Sequence, residues 1–323
     1  MSYTIKFVSI VVPSYNEEGN TKLLAEKIIQ VMDSLNYAYE VIFVNDGSMD
    51  NTWDVIENMS ARKPELKGID LAGNYGQTIA LRAGFEQAKG DVVIAMDGDM
   101  QHDPVYIPEL LKNIEEGYEM VGGAKAKRPD GIFKSFIANI AHHIICRISG
   151  VQLSYFGATF KAYRSYLLKN ANLLGDSHRF LGAMVARKGI RVKEIPIEIK
   201  TRHAGKSNYH LSKMFAVIID LVFLKFFISY INKPFRLFGV VGGIIFLIGA
   251  IFNGYYLFGS IFLHFNLRVD YEAEFLFSIA LILVGLILIS FGLIAEIGIH
   301  NYYVQGKHSP FVIRKKTGIN QQL

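Results

Sequence analysis

The chain is almost without cysteine: Cys146 is the only one among 323 residues, so no intrachain disulfide can form. This fits a reducing compartment for the globular part. No Cys/His spacing suits a zinc centre. No G-x-G-x-x-G follows the first apolar run and no G-x-x-x-x-G-K-[ST] occurs, which disfavours dinucleotide oxidoreductases and P-loop NTPases. A G-x-S-x-G elbow is also missing. The N-terminal run MSYTIKFVSIVVPSYNEE lacks a basic n-region and breaks at a proline followed by acids, so it is not expected to be a signal peptide. There is no internal repeat and no low-complexity segment.

Net charge is only +5. With a long apolar C-terminal part, this modest excess fits an anionic membrane surface better than nucleic acid. Hydrophobic residues make up 51% and aromatics 13%, and the excess lies in the last third. The N-terminal two thirds alternate apolar strands with helices. IKFVSIVV (5–12), YEVIFV (39–44), Gly68–Leu71, DVVIAM (91–96) and YEMVGG read as strands. Between them lie helical patterns: Leu24, Ile28, Val31 and Leu35; a polar helix ending at Met59; Gln77 to Ala88; and a helix from about Pro104 to Glu116. Such alternation predicts an α/β domain with a mostly parallel sheet covered on both faces. Ligands then bind beyond the carboxyl ends of the strands. PSYNEE, NDGS and DGDMQHD all fall at such ends and should meet in one crevice.

Residues 237–263 carry no charge and are long enough to span a bilayer; 275–295 are likewise uncharged and end at Glu296. They predict a two-helix transmembrane hairpin. Its loop holds Arg268, Asp270, Glu272 and Glu274. The flanks hold Lys225, Lys233 and Arg236 on one side and Lys307, Arg314, Lys315 and Lys316 on the other. The positive-inside bias puts both flanks in the cytoplasm. The expected division is therefore a cytoplasmic catalytic domain (1–210), an interfacial amphipathic helix (211–233), the hairpin (234–300) and a cytoplasmic basic tail (301–323). Residues 131–148 read either as a second interfacial helix or as a core-packing helix.

Asp97-Gly98-Asp99 follows a buried strand directly, and two carboxylates so placed can share a hard cation such as Mg²⁺ or Mn²⁺. Gln101 can add an amide oxygen. A bare D-x-D is common on surfaces, so its place in the β/α series carries the weight. Asp46, acceptor-only when ionised, suits a ribose hydroxyl or base N–H; taken alone, an Asp-Gly turn capping a helix explains it as well. Tyr15 can pack on a nucleobase and Glu17 can receive its donors, or Glu17 can simply complement a helix dipole.

Taken in order, the strand with PSYNEE, VNDGS, NYGQTIALRAGFEQAKGD, DGDMQHDP and RHAGKSNY resemble the family-2 glycosyltransferases of the GT-A fold. The closer likeness is to the polyprenyl-phosphate glycosyltransferases, and it spans nearly the whole chain. It implies inverting, metal-dependent transfer from a nucleotide sugar, UDP being favoured over GDP, to undecaprenyl or dolichyl phosphate at a membrane. It also implies base and ribose contacts at Pro13, Tyr15, Glu17 and Asp46, and a metal and diphosphate motif at Asp97, Asp99 and Gln101. Lys125, Arg128 and Lys134 fall where relatives hold the acceptor phosphate or donor diphosphate, Lys134 being the first choice for the acceptor. Arg202, Gly205, Lys206 and Ser207 match a late loop that closes over the nucleotide. One position departs from the pattern. Tyr155 stands where relatives usually carry an aspartate, and Asp176, otherwise a helix cap, is the substitute on offer. Two alternatives stay open: a processive polysaccharide synthase, although its Q-x-x-R-W motif is absent and the sole tryptophan is Trp53, and a nucleotide-binding membrane scaffold. Self-association into a homo-oligomer is open as well.

Overall fold

The computed structural model describes residues 3–125, 159–169, 181–185, 190–198, 230, 233–263, 271–304 and 310–319. The chain divides into two compact units, 1–221 with 309–323, and 222–308.

The first unit is built on a mixed sheet. In chain order its elements are β1 (Phe7–Ser14), α1 (Glu18–Asp33), β2 (Ala38–Asn45), α2 (Thr52–Ser60), β3 (Leu66–Leu71), α3 (Gln77–Gln87), β4 (Val92–Ala95), α4 (Ile107–Glu115), β5 (Met120–Lys125), β6 (Lys161–Arg164), α5 (Ser165–Lys169), α6 (Leu181–Val185), β7 (Val192–Ile197) and, from the far C-terminus, β8 (Ile313–Thr317). The order across the sheet is β7-β5-β6-β4-β1-β2-β3-β8. β4, β1, β2 and β3 are parallel neighbours, as are β5 and β7; β6 and β8 run antiparallel to theirs.

The central strands are buried on both faces, which is why they read as unbroken apolar runs rather than alternating ones. Val8, Ile10 and Val12 of β1 join Val41 and Phe43 of β2 and the α1 stripe Leu24, Ile28 and Met32 in one core. On α3 a Cβ at Gly84 would stand 2.2 Å from Val11 Cγ1, so only glycine lets this helix lie so close to β1. Burial of charge at the amino end of the sheet is compensated. Glu40, 1% exposed, accepts from Ser9 Oγ at 2.5 Å and from the Lys89 N–H at 2.8 Å, and pairs with Lys67.

The second unit contains α7 (Pro234–Phe262) and α8 (Glu272–Val304). Both are long and apolar enough to cross a membrane. The sequence-derived spans 237–263 and 275–295 fall within about these limits; proline at the first turn of α7 suits a helix start. The two helices pack through small residues: a Cβ at Gly285 would meet Gly242 O and Phe246 N at 2.7 Å, and one at Gly249 would meet Ser278 O at 2.8 Å. Asn253 Nδ2 donates to Ser278 Oγ at 3.1 Å. Large apolar side chains face outward, Ile251 being 70% and Ile294 65% exposed. Glu296 accepts the Phe235 N–H at 3.3 Å, so the one acid near the end of this apolar stretch receives an unpaired amide from the first turn of α7.

Within the stretch expected as a basic tail, 301–323, Ile313–Thr317 forms β8 on the outer edge of β3. A five-residue run holding three basic residues carries no apolar alternation, so its strand character comes from pairing with β3 alone. The regions 131–148 and 211–229 lie outside the described residues.

Candidate active site

The carboxyl ends of β1, β2 and β4 meet at a cleft of about 720 Å³, within the range of about 300–1,000 Å³ usual for small-molecule sites. Three turns build it. After β1, Asn16 adopts φ 54°, a left-handed conformation asparagine tolerates. Its N–H donates to Ser48 Oγ and its Oδ1 accepts from the Met49 N–H, both at 2.9 Å. The Glu17 N–H donates to Thr52 Oγ1 at 2.9 Å. These bonds tie the β1–α1 turn to the β2–α2 turn and leave Tyr15, 41% exposed, on the cleft wall. Glu17 lines the same wall and accepts from Asn20 Nδ2 at 2.6 Å.

Asp46 also lines the cleft. Its Oδ1 accepts the Tyr75 N–H at 2.8 Å and its Oδ2 the Gly76 N–H at 2.9 Å. Burial pushes its carboxyl above the usual carboxylate range, and the two amides pull it part of the way back. The sequence foresaw an acceptor at this position but not that the loop before α3 would occupy it. Each oxygen keeps a further lone pair for a ligand. Gly47, at φ 66°, brings its turn so near that loop that a Cβ would lie 2.4 Å from the Gly73 carbonyl carbon.

Asp97, Gly98 and Asp99 follow β4. A Cβ on Gly98 would approach Pro13 O at 3.0 Å, so this turn passes tight against the end of β1. Asp97 Oδ1 accepts from Gln77 Nε2 at 2.6 Å, and Thr159 bonds the same carboxylate. Asp99 Oδ1 accepts the Gln101 N–H at 3.1 Å across Met100, whose φ of 60° turns the chain. Burial, with the like charge of Asp99 behind it, pushes the Asp97 carboxyl up to about 6. Beneath the pair, Lys161 of β6 is 1% exposed; it stands opposite Ala95 on β4 and Gly122 on β5. Burial pulls its ammonium down to about 8, against the opposing pull of Glu194 and Asp97. His102 is 5% exposed and stacks on Phe160, with Nδ1 3.6 Å from Asp97 Oδ2. Burial lowers its pKa and keeps the ring neutral.

Two carboxylates held together at this cost suit a hard divalent cation, whose charge relieves both the burial and the mutual repulsion. Among the described residues no three His, Cys, Asp or Glu groups converge in metal-holding geometry. Asp97, Asp99 and Gln101 all line the cleft.

Pro13, Tyr15, Glu17, Asp46, Asp97, Asp99 and Gln101 therefore share one cleft. Lys125 ends β5 and aligns with Ile197 of β7. Arg128, Lys134, Tyr155, Asp176, Arg202, Gly205, Lys206 and Ser207 lie outside the described residues. The sequence reading missed roles for Gln77, Thr159, Lys161 and His102. Two sit in motifs already quoted, Gln77 in NYGQ and His102 in DGDMQHDP, but a neutral or buried side chain behind a carboxylate has no periodic signature.

The profile of glycosyl transferase family 2 matches residues 9–172. The chain belongs to that family. It is a glycosyltransferase, of a family whose reactions invert the anomeric centre. A dodecaprenyl-phosphate galacturonate synthase of Rhizobium johnstonii is 31% identical over 318 residues, covering 95% of this chain and 92% of the relative. An undecaprenyl-phosphate 4-deoxy-4-formamido-L-arabinose transferase of Shewanella sediminis is 31% identical over 300 residues, covering 90% and 87%. Among solved structures, a mycobacterial protein superposes with a TM-score of 0.51 at 17% identity, covering 68% of this chain and 74% of that one, a likeness of fold. The mixed sheet with its acidic turn after β4 is the GT-A arrangement that the motifs predicted.

Proposed function

We propose that this chain transfers a sugar, with inversion, from a nucleotide sugar to a polyprenyl phosphate at a membrane surface. The observation that carries the reading is the Asp97/Asp99 pair at the carboxyl end of β4, in one cleft with Tyr15, Glu17 and Asp46. The names of the full-length relatives, both of them polyprenyl-phosphate sugar transferases, support the acceptor class.

In this reading Pro13, Tyr15, Glu17 and Asp46 receive the base and ribose, with UDP favoured. Asp97, Asp99 and Gln101 hold Mg²⁺ or Mn²⁺, which when bound neutralises charge on the departing diphosphate. Gln77 and Thr159 keep the Asp97 carboxylate oriented, and the Lys161 ammonium keeps it ionised from behind. A phosphate oxygen of the lipid bonds to the anomeric carbon as the bond from that carbon to the nucleotide diphosphate breaks. A phosphomonoester with a second pKa of about 6 is already mostly ionised at neutral pH. It needs holding in line more than it needs a base, which makes Tyr155 in place of an aspartate tolerable. Lys125, Arg128 and Lys134 are the cations for that holding, and Arg202, Lys206 and Ser207 belong to the loop that closes over the nucleotide.

The helices α7 and α8 form the membrane anchor. The chain leaves the sheet before α7 and rejoins it at β8 after α8. Two crossings therefore return it to the side it left. In this reading the basic residues Lys233 and Arg236 at the start of α7 and Lys307 after α8 face the cytoplasm, as the positive-inside bias favours.

The test is a donor screen: purified full-length protein in detergent, Mn²⁺ or Mg²⁺, a panel of sugar nucleotides and undecaprenyl phosphate. Metal-dependent appearance of sugar in the lipid fraction is expected, and Asp99→Ala should abolish it while leaving the circular dichroism spectrum unchanged. Failure with every donor and with both lipid lengths would refute the reading; wild-type turnover by Asp99→Ala would refute the metal assignment.

A further inference from the structure

The segment that follows the membrane hairpin does more than end the chain. β8 pairs with β3 in an irregular register: Asp70 opposes Lys315 and Leu71 opposes Ile313, so Arg314 is the extra residue of a bulge. Bulges re-aim side chains. Here the guanidinium meets two acceptors at once, with Nη2 2.9 Å from the Ala72 carbonyl oxygen and Nη1 3.6 Å from Asp70 Oδ2. The Ala72 N–H also donates to the Val312 carbonyl oxygen at 2.8 Å. Asp70 is 2% exposed, and its other oxygen accepts from Asn45 Nδ2 at 2.7 Å. Asn45 Oδ1 in turn takes the Ser48 N–H at 3.3 Å.

These groups frame the loop from Ala72 to Gly76, whose other end is held by Asp46. The loop leads directly into α3, whose first residue, Gln77, grips Asp97. Lys316 reaches the far end of the same helix, donating to Gln87 Oε1 at 3.2 Å. Asn74, Gly76 and Gln77 line the cleft.

We infer that Arg314 is a positioning residue for the donor site: through Ala72 and Asp70 it sets the loop 72–77, so the strand delivered after the membrane anchor completes nucleotide binding. This rests on reading the cleft as a nucleotide site. Arginine suits the task and lysine does not, because one ammonium cannot serve both acceptors in the fork geometry. With the side chain 56% exposed, the contact is a modest one.

The test is binding of UDP and GDP, each with Mn²⁺, to the full-length protein in nanodiscs, with amide exchange read in parallel. Arg314→Ala should weaken whichever nucleotide the wild type binds by about three- to tenfold. It should also speed exchange at Tyr75 and Gly76 while leaving β1 protected. Arg314→Lys should recover only part of the affinity, and Lys315→Ala, on the same strand, none of the defect. Asp70→Asn, which keeps volume and removes charge, should reproduce the pattern if Arg314→Ala expresses poorly. Wild-type affinity and unchanged exchange at 72–77 in Arg314→Ala would overturn the inference alone. Loss of protection in β1 as well would make the residue a folding determinant and overturn it too. A wild type that binds neither nucleotide would sink the site reading and this inference with it.

Discussion

Lowering the pH should weaken Mn²⁺ binding through Asp97. Its carboxyl sits at about 6 in the fold because it is buried beside Asp99, against an ordinary 3.8. An acid whose folded pKa is raised binds its proton more tightly when folded. The metal-free protein therefore loses stability as pH rises from about 4 through about 6, and the two-unit difference amounts to about 3 kcal/mol. A bound cation reverses that penalty, so its affinity must carry the opposite dependence. At pH 7.5 Asp97 is ionised and the cation displaces no proton. At pH 5 only roughly a tenth of the sites are ionised, so Mn²⁺ should bind about tenfold more weakly and release close to one proton. Isothermal titration of the full-length protein at both pH values, each in two buffers of different ionisation enthalpy, measures affinity and proton release together. Asp99→Asn removes the like charge, so whatever weak binding remains should show its midpoint below 6. Equal affinity at pH 5 and 7.5, or no proton released at pH 5, would refute the proposed coupling between burial and metal binding.

The neighbouring lysine offers a test of opposite sign. Lys161→Met keeps the volume of a side chain packed under Gly122 but removes the buried ammonium that lowers Asp97; the pH midpoint for Mn²⁺ binding should move above 6, and an unmoved midpoint would assign Lys161 to packing alone. In the hairpin, Gly285→Leu would drive a side chain into Gly242 O and Phe246 N, which lie 2.7 Å from the Cβ position. Overpacking of this kind costs about 1–3 kcal/mol. Thermal melts in detergent should show an earlier transition for the apolar unit, with UDP binding by the sheet retained at low temperature; an unchanged melt would mean the helices can part without penalty.

The strands were legible wherever burial on both faces left its mark. β1, β2 and β4 each appear as a run of Val and Ile because helices cover both sides of the sheet. The same alternation of strand and helix placed PSYNEE, NDGS and DGDMQHD at one edge, and their convergence in the cleft followed. Charge-free runs announced the helices of the second unit, since length and composition alone decide whether a segment can span a bilayer. β8 was not legible: Ile313–Thr317 is mostly basic, and an edge strand of that composition declares itself only when a partner strand is present.

The sequence by itself therefore determined the layered α/β plan, the two long apolar helices and the acidic turn, because each depends on local pattern or on a short run of residue types. Only the tertiary structure decided how the site is held together. Asp46 grips the loop before α3, Gln77 reaches across to Asp97, Lys161 lies buried beneath the carboxylates, and Arg314 returns from beyond the hairpin to Asp70. These contacts join residues from 20 to more than 240 positions apart. No periodicity along a chain encodes such distances; the hydrogen bonds and charges exist only once the sheet has brought the partners side by side.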